Sequence, residues 1–133
     1  MSLKKRSNDP KINKEPVIEY PVFCFKYIQN KSFDKCRDAK FFIDFIQRLN
    51  KIAQYSWRDI ELLPKHGLGY EMLPKSKFKC SKFPEIVTDE VSKLMVFRAN
   101  GSNLPFAGVK INNIMHVIFI ETNFGDIYNH EKK

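Results

Sequence analysis

Residues 93–121, KLMVFRANGSNLPFAGVKINNIMHVIFIE, constrain this chain more than any other stretch: three short apolar segments are separated by two polar breaks, Asn100-Gly101-Ser102-Asn103 and Asn112-Asn113. Asn and Gly accept the left-handed backbone of tight hairpins. The stretch therefore predicts an antiparallel meander with strands over 95–99, 104–111 and 114–121. The last of these contains IMHVIFI, apolar at nearly every position, so it belongs inside a sheet with at least one face covered. Arg98 and His116 are the polar intruders in this block, and a histidine in such a strand is more often a satisfied core residue than a catalyst.

The cover lies upstream. Phe41, Phe42, Phe45, Ile46, Leu49, Ile52 and Ala53 recur at helical spacing and form one broad stripe, which predicts an amphipathic helix over about 37–54. Lys40, Asp44, Gln47, Arg48 and Lys51 occupy its other side. Ser56 precedes Trp57 and stands three residues before Asp59, a form of the capping box that opens a short second helix over 57–63, stopped by Pro64. Before the helices, VIEYPVFCFKYI (residues 17–28) combines β-favouring side chains with Pro21, which predicts a first strand with the proline at its start or at a sheet edge. Residues 70–74 form a further brief strand. The predicted fold class is α+β: a strand, a long amphipathic helix, a short helix, then the antiparallel meander, in one sheet with helices on one face.

A chain of 133 residues suits one core, and we place it in residues 17–133. Residues 1–16 hold Lys4, Lys5, Arg6, Lys11 and Lys14 with few apolar residues, the composition of a mobile basic arm. The net charge of +8 and a pI near 9.4 favour polyanionic partners, either RNA or an acidic protein, although lysines also serve simple solubility. Cys24, Cys36 and Cys80 contain no CxxC pair, so free thiols in a reducing, cytoplasmic setting are expected. No apolar run reaches the length of a membrane span, so no membrane partner is expected. His66, His116 and His130 are far apart in sequence and lack metal-ligand spacing. Neither a metal nor a cofactor is expected.

Lys75, Lys77, Lys79 and Lys82 interleave with Phe78, Cys80 and Phe83. Basic and aromatic residues in alternation suit single-stranded nucleic acid, whereas alternate lysines also protect an exposed edge strand from unwanted pairing. Arg58, on the polar side of the second helix, joins the candidate nucleic-acid-binding residues; its simpler role is a solvated charge.

In element order, residues 17–130 resemble the RelE/ParE superfamily of small bacterial toxins. The closing VIFIETNFGDIYNH is similar to the HigB-like ending, in which a last strand leads into a short His/Tyr segment. Two features depart from the pattern: the excursion over 75–92 is additional, and Tyr128 here precedes His130. The stretch from Val96 to His130 also resembles the endings of small bacterial proteins without an assigned activity. The toxin resemblance implies metal-free, ribosome-associated mRNA cleavage and an acidic antitoxin partner. It implies proton transfer by His130, with His116 as the buried alternative, phosphate stabilisation by Arg98, and base stacking or proton donation by Tyr128. The second class of function is a non-enzymatic protein-interaction domain that uses a sheet edge or the lysine-rich excursion. Oligomeric state has no signature in the sequence.

Overall fold

A computed structural model of the chain describes residues 18–34, 36–100 and 104–130; the basic arm expected over 1–16 lies outside them. Five strands form one sheet: β1 (Val22–Cys24), β2 (Glu71–Pro74), β3 (Lys93–Arg98), β4 (Pro105–Ile111) and β5 (Ile114–Ile120), in spatial order β1-β5-β4-β3-β2. Strands β2 to β5 are antiparallel to their neighbours, and β1 lies parallel to β5 with Cys24 opposite His116. The meander read from residues 93–121 is thus extended by β2 on one side and by a parallel edge strand on the other.

Helix α1 (Ala39–Ile52) starts where Asp38 accepts a hydrogen bond from the Lys40 amide at 3.0 Å, which satisfies one of the orphan N–H groups of the first turn. Ser56 does the same for α2 (Trp57–Ile60), accepting from the Asp59 amide at 3.1 Å. Four of the seven stripe residues are buried; Phe42 and Ala53 are half-buried, and Ile46, at the stripe's edge, is exposed. Phe41, Phe45, Leu49 and Ile52 join Trp57 and Ile60 in one cluster with Met95, Phe97, Phe106, Met115, Val117 and Ile120. Its centre is aromatic: Phe45 meets Phe106 edge-on at 5.1 Å, and Phe97 stacks on Phe106 at 5.2 Å.

Alternate residues of the same strands build a second cluster, in which Leu94, Val96, Ala107, Val109, Ile118 and Phe119 pack with Phe78, Val87 and Ile127. Successive strand residues point to opposite faces. Two clusters on one sheet therefore explain why β3 and β5 are apolar at consecutive positions. The second cluster is completed by the excursion after β2 and by the polar tail, segments with little regular structure. The expected edge strand of alternating Lys and Phe does not form: Lys75–Lys77 is a 3-10 turn, and Phe78 makes a single antiparallel bridge with Tyr128.

Two local features fix the β4–β5 hairpin. Asn112 adopts φ of 58° in the tight turn, the conformation that Asn tolerates better than most residues. Farther along, Ala107 pairs with Phe119 while Gly108 pairs with Val117, so β5 carries one extra residue as a bulge. A Cβ at Gly108 would lie 1.8 Å from the His116 carbonyl oxygen; only glycine permits this approach.

Candidate functional site

Arg98 is the last residue of β3, paired with Pro105 at the start of β4. Tyr128 and His130 arrive from the other end of the chain. Their segment is tied to the excursion by hydrogen bonds from the Lys79 amide to the Ile127 carbonyl, 2.6 Å, and from the Asn129 amide to the Lys77 carbonyl, 2.8 Å. These connections bring Arg98, Tyr128 and His130 to one concavity of about 160 Å3, whose lining includes Lys65, Glu71 and Pro105. The space is smaller than a pocket for a whole drug-sized ligand.

A buried carboxylate organises the tail. Glu121 follows β5 and is 1% exposed. One of its oxygens accepts the amides of Ile127 at 3.0 Å and Tyr128 at 2.7 Å, and the other meets His130 Nε2 at 2.5 Å. With the carboxylate accepting, Nε2 carries the hydrogen. The imidazole is also held by rings: Phe124 stacks on it at 3.9 Å and Tyr128 meets it edge-on at 4.7 Å. The His130 side chain is 15% exposed because Glu121 and the two aromatic rings enclose it.

Arg98 lies near His66, Arg48 and Lys65. A guanidinium only donates, so His66 Nδ1 accepts from Arg98 Nη2 at 2.9 Å. Arg48, which donates to the Gly67 carbonyl at 3.2 Å, has its pKa lowered by burial first and then by the charge of Arg98. Lys65 is balanced by Glu71 at 3.1 Å.

The other candidates lie elsewhere. His116 sits in β5 between Val109 and Cys24, its ring 6.2 Å from Tyr27, and its buried Nδ1 has no hydrogen-bond partner; it does not line the Arg98 concavity. Lys79 donates to the Gly125 carbonyl at 2.6 Å and with Lys82 lines a separate groove. Lys75 stands 5.8 Å from the centre of the Phe83 ring, and Lys77 receives the tail through its carbonyl. Arg58 borders another depression, of about 510 Å3, beside Glu19 and Asp59.

Sequence reasoning missed Glu121, Arg48, His66 and Lys31. The available signal for Glu121 was an acid ending an apolar strand nine positions before a histidine. Among the described residues no group of three or more His, Cys, Asp or Glu side chains is arranged to hold a metal ion, the three cysteines are unbridged, and no helix is long and apolar enough to cross a membrane. No family model, curated protein or solved structure matches this chain.

Proposed function

We propose that this chain is an RNA-directed protein that cleaves a phosphodiester without a metal at the Arg98–Tyr128–His130 concavity, on ribosome-bound mRNA as the RelE-like resemblance implies. The observation that carries this is the convergence of the three side chains from distant parts of the sequence on one concavity, with His130 held by a buried carboxylate. His130 Nδ1 takes the proton of a 2′-hydroxyl, the 2′-oxygen bonds to the adjacent phosphorus, and the bond from phosphorus to the 5′-oxygen breaks. Arg98 stabilises the extra negative charge of the phosphorane, and Tyr128 delivers a proton to the departing oxygen. The products are a 2′,3′-cyclic phosphate and a 5′-hydroxyl. Glu121 plays the orienting part that a carboxylate plays behind a catalytic histidine. Both helices pack into the first cluster, which leaves the side carrying the tail and the lysine excursion as the working face.

The test is cleavage of a labelled single-stranded RNA, free in EDTA and as mRNA on programmed ribosomes in the magnesium that keeps them assembled. Cyclic-phosphate ends should appear on at least one substrate and be lost by about 100-fold or more in His130→Gln and Arg98→Gln, and a 2′-deoxy substitution at the cleaved position should block the reaction. Cleavage on neither substrate, or cleavage indifferent to both variants, overturns the proposal.

One observation favours a non-enzymatic interaction domain instead: Glu121, Tyr128 and His130 already serve to hold the tail. Under that alternative His130→Ala and Tyr128→Ala leave the capture of an acidic protein partner intact, whereas reversal of Lys77, Lys79 and Lys82 to Glu abolishes it.

A further inference from the structure

Lys31, Lys79 and Lys82 border a groove of about 420 Å3 whose lining also includes Ile28, Gln29 and Phe119, and no carboxylate. Lys31 Nζ crosses to the Lys79 carbonyl at 3.2 Å, and Lys79 Nζ donates to the Gly125 carbonyl at 2.6 Å. Both partners are neutral. An ammonium has three donors, so each retains donors for a further partner and keeps its full charge. The ion pairs among the described residues are Lys40–Asp44, Lys65–Glu71 and His130–Glu121, so none of the three groove lysines is neutralised there. Like charges gathered without a counter-charge repel one another, and an anion relieves that repulsion. The volume falls in the range of small-ligand sites and accommodates a nucleotide.

We propose that this groove is a binding site for a phosphate ester, carried by a free nucleotide or by an RNA strand. Residues 77–79 separate it from the His130 concavity: Lys79 lines the groove, while Lys77 and Phe78 pair with Asn129 and Tyr128. A strand seated at His130 therefore has a cationic path across one backbone segment. The site extends the RNA-directed reading but stands on its own geometry.

The experiment measures binding of a 5′-labelled single-stranded RNA 12-mer to the full chain over a salt series. Lys31→Gln/Lys82→Gln is compared with Lys51→Gln/Lys93→Gln, which removes the same charge elsewhere; Lys79 is left intact because it anchors Gly125. The groove pair should bind about tenfold more weakly, with the salt slope reduced by about 1.4, from about 0.7 per phosphate contact on a single strand; the control pair should behave as wild type. In parallel, the Asn30 and Ser81 amide resonances are followed during titration with inorganic phosphate, UMP and the 12-mer. Shifts with phosphate or UMP identify a free ester as sufficient ligand, and shifts with the 12-mer alone identify the strand. Equal effects of the two variant pairs, or no shift with any of the three probes, overturn the site. A chain that cleaves no RNA yet shows the groove pattern removes the nuclease reading and leaves this site standing.

Discussion

Replacement of Glu121 by Gln tests the hub on which the tail depends. The carboxylate makes three hydrogen bonds, to the amides of Ile127 and Tyr128 and to His130 Nε2. Bonds to a charged group contribute about 1.5–3 kcal/mol each and neutral ones about 0.5–1.5, so an amide in the same place loses about 1 kcal/mol per bond, or about 3 in all. Gln also removes the cost of burying a charge, which returns part of this. A net loss of about 2 kcal/mol is expected, a fall in Tm of about 6–10 °C for a chain of this size. Urea denaturation of wild type, Glu121→Gln, His130→Gln and the double variant gives a coupling energy, expected at about 1 kcal/mol or more because the two side chains touch. Glu121→Ala should lose about 4 kcal/mol, because two buried amides and an imidazole then lack partners. A Gln variant within about 0.5 kcal/mol of wild type, or a coupling indistinguishable from zero, would refute the view that this carboxylate holds the tail in place.

Gly108→Ala should cost about 3 kcal/mol or more, or abolish folding, because the new methyl would meet the His116 carbonyl oxygen at 1.8 Å and Val117 Cα at 3.1 Å, and the β5 backbone cannot yield as a flexible side chain would; urea denaturation checks this, and an unchanged midpoint contradicts it. Ser32→Ala removes the buried hydroxyl that accepts the Ile120 amide at 2.9 Å and should destabilise by about 1–3 kcal/mol, read by the same assay. The pKa of Tyr70 is raised by burial and, secondarily, by the charge of Glu61, so the folded state holds its proton more tightly than the unfolded chain. That contribution is complete below the ordinary tyrosine value of about 10 and is lost as pH rises through the higher folded value. Between pH 9 and 11 the wild-type urea midpoint should therefore fall further than that of Tyr70→Phe.

Where local chemistry decides, the sequence was readable. The Phe41/Phe45/Leu49/Ile52 stripe became α1, Ser56 capped α2, and Asn112-Asn113 became the β4–β5 turn. Ends of the later strands moved by a residue or two, whereas the first strand, expected over 17–28, shrank to Val22–Cys24. What escaped was non-local. The parallel pairing of a three-residue β1 with β5 leaves no periodic trace, and the bulge opposite Gly108 shows in sequence only as a glycine within a strand. Alternating Lys and Phe over 75–83 suggested a strand because period two is the strand signature, but packing of Phe78 and Phe83 on Phe119 and the tail's hydrogen bonds won over the ladder. At the site, Arg98, Tyr128 and His130 were nameable as residue types. Their shared concavity and the buried partner Glu121 depend on where the tail docks, which no spacing encodes.

The position of β1 has a consequence for the birth of this protein. Val22 leaves the ribosome long before Ile114, the residue it pairs with, and at about 5–20 residues per second the first strand waits several seconds for its neighbour. Hairpins β3–β4 and β4–β5 close over short loops in the meantime, whereas the β1 pairing must overcome the entropy of a loop of about 90 residues. The segment made first is thus the one to zip last, and until it does the outer rim of β5 stands open to any extended peptide that reaches it.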